Sequence, residues 1–305
     1  MFLAFKKMIK YVNSIAELKS QISGWQQSGY KIGLVPTMGS LHEGHLSLIS
    51  LARAYCDKVV TSIYINPQQF SQTEDFDGYP RTLNQDLEKL SELRVCDLVF
   101  NPTQMYHESH ATIIVPTGVA EPLEGQIRPH FFGGVATIIL KLCNQIQPDV
   151  AIFGEKDYQQ LLVIKQLMRD LNLPIQIIAG ETFRETDGLA MSSRNSYLSD
   201  SERKIAANIY RVMQITAENL QSGIEVSKAI QNAINELARV GITKIDYFSL
   251  RDPITLEPLS TFEKDARLLV ALNVGATRLI DNMAVSFVQS GTIDSEYNHQ
   301  GKPNL

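Results

Sequence analysis

The 305-residue chain is 44% hydrophobic and 20% charged, with a formal net charge of −5. This is the composition of an ordinary globular protein, long enough to bury a substantial core in one large domain or two. The acidic balance argues against a general nucleic-acid binder, whose footprint is a basic patch, but leaves room for a locally cationic pocket.

Through about residue 180, short β-rich runs alternate with helical stretches. Residues 32–36, 58–66, 97–100, 150–153 and 175–179 read as strands, most of them continuous apolar runs of the buried parallel kind. Helices are expected near 14–28, 44–55, 82–93, 133–146 and 157–172. In the fourth, Val135, Ile138, Ile139 and Leu142 fall at i, i+3, i+4 and i+7 on one face, and Pro148 follows its end. This alternation predicts an α/β fold with a doubly wound, Rossmann-like parallel sheet. After residue 195 the texture changes. Residues 200–220 and 225–240 read as two amphipathic helices, then 245–250, 268–272 and 277–282 as strands, with a turn at Asp252-Pro253. The expected division is a Rossmann-like domain over 1–186, a smaller α+β domain over 187–290 and a polar tail over 291–305. No internal repeat is evident.

Cys56, Cys96 and Cys143 are unclustered, odd in number and set among apolar neighbours. They form no CxxC pair, so they read as free buried thiols in a reducing compartment, with neither a zinc site nor a disulfide framework. The opening MFLAFKKMIKYV has an apolar run too short for a signal peptide, and charge follows it rather than preceding it. No run approaches the roughly 20 apolar residues needed to span a bilayer. The cytoplasm is the expected location, with no nucleic acid or membrane as partner.

Three segments carry the chemistry. In LVPTMGSLHEGHLSL (residues 34–48) a strand ends at Pro36 and a helix begins near Gly44, with His42 and His45 at the turn. In a doubly wound sheet such a turn faces the ligand crevice, and a helix N-terminus there offers N–H groups to a phosphate. The imidazoles can donate to phosphate oxygens as negative charge develops. Incidental loop histidines and a metal pair are the competing readings.

In FGEKDYQQ (residues 153–160), Lys156 would bring an ammonium to the same crevice, and Asp157 is placed to cap the next helix. A solvated turn is an equal alternative for Glu155, Lys156 and Asp157. Gln159 and Gln160 point about 100° apart on a helix, so one of them should be solvated. In MSSRN (residues 191–195), the Ser192 and Ser193 hydroxyls and the Arg194 guanidinium suit a triphosphate, although a linker loop also favours serines. IYINPQQF adds Asn66, Gln68 and Gln69, and GQIRPHFFGG adds Arg128 as an anion contact, an ordinary loop being the alternative for both.

Together these stretches, with YPRT, DGLAMSSRNSYLS, TLEPL and GATRLIDN, resemble the pantothenate synthetase family in order and spacing across nearly the whole chain. The histidine pair alone marks only the wider adenylate-forming nucleotidyltransferases, which include class I aminoacyl-tRNA synthetases. The resemblance implies ATP-dependent joining of pantoate to β-alanine through a pantoyl-adenylate, with release of AMP and pyrophosphate. It implies that Pro36, Thr37, Met38, Gly39, His42, Gly44 and His45 line the nucleotide, with His45 as proton donor. His42, Lys156 and Arg194 would stabilise phosphate charge. Gly154, Glu155, Lys156, Asp157, the backbone at Phe183, Met191, Ser192, Ser193 and Arg194 would complete the ATP site. Gln69, Gln160, Asn66 and Arg128 would meet pantoate, and Gln69 could also touch β-alanine. Mg²⁺ would ride on the phosphates without a protein cage, the smaller domain would act as a lid, and the molecule would be a homodimer.

Two departures stand out. Phe131 occupies the position where the family usually has histidine, and residues 1–7 precede the family's usual start near Met8. Other classes remain open: an adenylyltransferase that keeps the nucleotide on its product, or a nucleotide-binding regulator without catalysis. A tRNA synthetase lacks support because no basic extension is evident.

Overall fold

The structure, a computed structural model, describes residues 9–71 and 74–287; the expectations for residues 1–7 and for the tail at 291–305 lie outside them. It is built on two sheets. The first is parallel and six-stranded, in the order β1 (Lys10–Val12), β4 (Leu98–Phe100), β3 (Lys58–Ile63), β2 (Ile32–Thr37), β5 (Val150–Gly154), β6 (Gln176–Gly180). Its middle strands are buried on both faces, as their unbroken apolar runs require. The crossover helices are α1 (Ile15–Gln27), α2 (Glu43–Ala52), α3 (Leu83–Leu93), α5 (Phe131–Ile146) and α6 (Tyr158–Asp170), with a single-turn α4 at Glu124–Ile127. Winding starts at β2, runs outward through β3 and β4, then returns to β5 on the other side. The carboxyl ends of β2 and β5 therefore flank the topological switch point, where a crevice must open.

The apolar stripe on α5 packs inward as its periodicity requires: Val135, Ile138, Ile139 and Leu142 are all at most 5% exposed. Each such side chain contributes roughly 1.5–3 kcal/mol when fully buried. The helix reaches the turn that follows β3 because Gly134 carries no side chain. A Cβ there would lie 2.2 Å from the Gln68 carbonyl oxygen, so the close approach of α5 to the 66–69 turn depends on that glycine.

The second core is formed by α7 (Asp200–Ala206), α8 (Asn208–Gln221) and α9 (Val226–Arg239) against an antiparallel sheet of β7 (Lys244–Arg251), β8 (Ala266–Val274) and β9 (Thr277–Val285). Four details differ from the pattern reading. Strand β1 pairs with β4 over only three residues, too short for alternation to register. The expected strand 58–66 stops at Ile63; Pro67 turns the chain, and the Asn66 side chain accepts the Gln68 N–H. The single helix expected over 200–220 breaks at Ala207, where the Asn208 amide bonds the Lys204 and Ile205 carbonyls that a continuous helix would use. Finally, Asp157 starts α6 without any side-chain cap bond.

Among the described residues no helix is long and apolar enough to cross a membrane. All three cysteines are free and buried. Burial pushes the Cys56 and Cys96 thiols up to about 11 and Cys143 up to about 12, which leaves them inert as nucleophiles.

Candidate active site

A cavity of about 600 Å³ opens at the switch point, within the range that small-molecule sites occupy. Pro36, Thr37, Met38 and His45 enter it from the end of β2 and the start of α2, Lys156, Asp157 and Gln160 from the β5–α6 turn, and Ser192 and Arg194 from the chain leading to the second core. Gln69 and Arg128 also line it. Val135, Ile138, Ile139 and Leu142 form an apolar floor. β9 contributes Arg278, Asp281 and Asn282, so both sheets share the cavity.

The β2–α2 turn is held from α3. The buried Asp86 carboxylate accepts the Ser40 and Leu41 N–H groups at 2.9 and 2.8 Å. That fixes the turn through Ser40, whose φ is +50°. His42 caps α2 by position, and its backbone N–H donates to His45 Nδ1 at 3.4 Å. The two rings lie 4.1 Å apart. Gly44 makes room for this pair: a Cβ there would sit 3.0 Å from the His42 ring. The space that this glycine leaves thus serves a histidine rather than reaching the cavity.

Burial is the first cause of the depressed basicity of both histidines. It holds His42 down to about 4, with Lys156 and Lys89 lowering it further and Glu185 opposing. His45 falls well below the usual range through burial, the His42 ring, Lys156 and Lys89. Both are neutral at pH 7. Between pH 6.5 and about 4 the unfolded chain takes up a proton at His42 that the folded chain refuses. The stability contributed by the neutral imidazole is therefore fully present above pH 6.5 and is lost as pH falls through that window. Thermal melts between about pH 7.5 and 4.5 should show a steeper loss for the natural protein than for His42→Gln; parallel curves would refute this.

Lys156 Nζ has no hydrogen-bond or ion-pair partner among the described residues, while the backbone beneath it is fixed. The Asn282 amide donates to the Glu155 and Lys156 carbonyls at 2.9 and 2.8 Å. Arg267 joins Asn282 to the Glu155 carboxylate and stacks 3.8 Å over the Tyr158 ring. The 155–157 turn is therefore clamped by the second sheet and is not a solvated loop.

Arg194 lies on a short 3-10 helix, Ser193–Tyr197, capped by Ser192 Oγ, and forms a two-point ion pair with Asp75 at 2.9 and 3.1 Å. Arg128 is bound by Glu74 and by the Gln69 carbonyl, with its guanidinium 3.8 Å over Phe131. Phe131 therefore supports this arginine.

Several residues nominated from sequence do not line the cavity. Asn66 is 1% exposed, and its amide is used up by Gln69, Gly134, Tyr106 and Gln68. It holds Gln69, whose Nε2 is left against Met38 Sδ. His42 lies behind His45; Gly39, Gly44 and Gly154 shape backbone; Glu155 is turned to Arg267. The Phe183 carbonyl accepts the Met191 N–H, and Ser193 Oγ pairs with the Tyr79 hydroxyl. Gln159 is not solvated: it borders the cavity beside Gln160 but is 4% exposed, with its amide bonded to the Val119, Pro122 and Glu124 backbone.

Glu74, Asp75, Asp86, Glu124 and Arg278 have no role that sequence alone assigns. Tyr79, Arg81 and Arg278 do fall inside stretches that carry the family resemblance. Glu124 is the buried anion that joins the two cores, bonded by both Arg278 Nη atoms and by the Tyr247 hydroxyl.

Comparison with known proteins agrees with this architecture. Residues 10–284 match the family model described as pantoate-beta-alanine ligase. The chain is 45% identical to pantothenate synthetase of Maricaulis maris over 92% of its own length and 98% of the relative, and 47% identical to that of Marinobacter nauticus over 91% and 100%. Among solved structures, pantothenate synthetase from Thermus thermophilus superposes with a TM-score of 0.86 at 41% identity, covering 91% of this chain and 100% of that one. Pantoate-beta-alanine ligase from Francisella tularensis, complexed with beta-gamma ATP and beta-alanine, gives 0.77 at 34%, covering 90% and 97%. With its nearly full-length match, its parallel sheet and its cavity at the switch point, the chain belongs to the pantoate–β-alanine ligase family, the pantothenate synthetases, which form a carbon–nitrogen bond.

Proposed function

We propose that this ligase uses ATP to condense pantoate with β-alanine in two steps within the one cavity. A pantoate carboxylate oxygen attacks the α-phosphorus of ATP, the bond to the β-phosphate oxygen breaks, and pyrophosphate leaves. The β-alanine amine then attacks the acyl carbon of the pantoyl-adenylate, and AMP departs with the bonding electrons as the amine loses a proton. A carboxylate resists attack by an amine at neutral pH until its oxygen becomes a good leaving group. ATP supplies that group, and no protein nucleophile is needed.

The observation that carries the reading is the convergence of His45, Lys156 and Arg194 on one cavity that also presents Gln69, Gln160 and an apolar floor. The two cations and the imidazole N–H suit the triphosphate, the glutamine amides suit pantoate's carboxylate and hydroxyls, and the floor suits its gem-dimethyl carbon. The protein's task is positioning and charge compensation for several anions held close together. Mg²⁺ would accompany the triphosphate. That ion would be held through phosphate oxygens and not by a protein cage. Residues 187–290 would close over the nucleotide as a lid on residues 1–186, and the reading takes the molecule as a cytoplasmic homodimer.

Exchange of labelled pyrophosphate into ATP tests the first step. It should require pantoate and proceed without β-alanine, and adding β-alanine should release AMP. Exchange without pantoate, or a product that retains the nucleotide, would favour an adenylyltransferase instead.

A further inference from the structure

Arg194 reaches the cavity as a long, flexible side chain, and such a side chain grips a phosphate well only if something fixes its direction. Asp75 supplies a candidate. Its two carboxylate oxygens take the Nε and Nη2 edge of the guanidinium at 3.1 and 2.9 Å. Nη1 has no protein partner among the described residues, so one edge is occupied and the other remains available within the cavity that Arg194 lines.

The loop that carries Asp75 is itself braced. Arg81 donates to the carbonyls of Phe76, Asp77 and Tyr79 at 2.9–3.1 Å. The Phe70 ring stacks edge-on against Phe76 and Tyr79. Tyr79, 5% exposed, meets Ser193 Oγ at 3.0 Å, and the Tyr197 hydroxyl donates to the Gly78 carbonyl at 3.3 Å. Two contacts thus tie this loop to the short helix of Arg194 on either side of the arginine. A carboxylate on a loop stapled in this way is poorly placed to swing aside for an incoming phosphate.

We propose that Asp75 is a positioning residue that orients Arg194 toward the triphosphate and remains paired with it during the first step. This rests on the ATP-site reading above. A planar guanidinium can serve two anions at once, one along each edge, which a lysine could not do with the same directionality. The neighbouring Glu74 holds Arg128 in the same fashion, so adjacent carboxylates on one loop secure two of the cations that line the cavity.

The test is steady-state and pyrophosphate-exchange kinetics on Asp75→Asn, Asp75→Glu, Arg194→Ala and the double variant Asp75→Asn/Arg194→Ala, with thermal midpoints for all. Asparagine keeps the shape but can accept along only one oxygen, and its NH₂ faces a cation. Asp75→Asn should lower kcat/KM for ATP by about ten- to a hundredfold, the scale on which small misplacements act. KM for β-alanine and the thermal midpoint should stay unchanged, and Asp75→Glu should recover part of the loss. The double variant should be no worse than Arg194→Ala alone, because the two residues act as one unit. An unchanged kcat/KM for ATP in Asp75→Asn, or a lowered KM for ATP showing that the carboxylate competes with the nucleotide, would overturn the proposal. So would a lowered thermal midpoint with intact ATP kinetics, or losses that add in the double variant. Absence of pantoate-dependent exchange in the natural protein would instead remove the functional reading beneath it.

Discussion

Replacing His45 by alanine is expected to slow adenylate formation by about a hundred- to a thousandfold, the loss that follows removal of one aligned donor to a developing anion. The structure specifies which donor. His45 Nδ1 accepts the His42 backbone N–H, so the proton of the neutral ring resides on Nε2. Burial, His42 and two lysines keep the ring neutral, and a neutral imidazole N–H can stabilise phosphate charge without giving its proton away. His45 stands in the first turn of a ten-residue helix, and its loss leaves the apolar residues Ile49 and Ala52 in place. The thermal midpoint should therefore move little. His45→Gln, which can offer an amide N–H from a similar reach, should retain more activity than alanine. The measurement is pyrophosphate–ATP exchange with pantoate. A near-normal rate for His45→Ala would remove it from its role.

Lys156→Ala should cost a comparable factor, about a hundred- to a thousandfold in kcat, with a smaller rise in KM for ATP. Its ammonium has no protein partner among the described residues to neutralise it, and a cation in such a site is available for charge that grows on the phosphate between ground and transition state. The clamp of Asn282 and Arg267 on the 155–157 turn is built from backbone carbonyls and Glu155, so it survives the substitution. Lys156→Arg should restore little, because the planar fork places its charge farther out and in a different shape. A raised KM for ATP with kcat unchanged would show that the lysine merely holds the nucleotide. A normal kcat would contradict the assignment altogether.

Much of this site was legible beforehand for a physical reason. The strands of the first sheet are buried on both faces and therefore unbroken in hydrophobicity, so their ends, and the glycine-bearing turns beyond them, could be located from the pattern. Once β2 and β5 are placed, His45 and Lys156 must project from their carboxyl ends. The misreadings share one cause. Asn66 and Ser193 looked like ligand contacts because they are polar and close to the crevice, and of Gln159 and Gln160 one looked solvated because the two point apart on a helix. Whether a polar side chain faces substrate or satisfies a neighbouring backbone depends on which groups packing leaves unpaired. For Gln159 those are the carbonyls of Val119 and Pro122, 40 and 37 residues away in sequence. Asp157 failed as a cap for a related reason: the preceding turn was already held by Asn282 from the other sheet.

The order of amino acids by itself determined the parallel sheet, the register of apolar faces, the acidic balance and the family, since all of these reside in local composition and spacing. Only the tertiary structure decided the pairs: Asp75 with Arg194, Glu74 with Arg128, Asn282 with the 155–157 turn, and Glu124 with Arg278 and Tyr247. These partners lie between 54 and 154 positions apart in the chain. Residues so distant are matched by the geometry of the packed state, where a buried charge is stable only beside its complement.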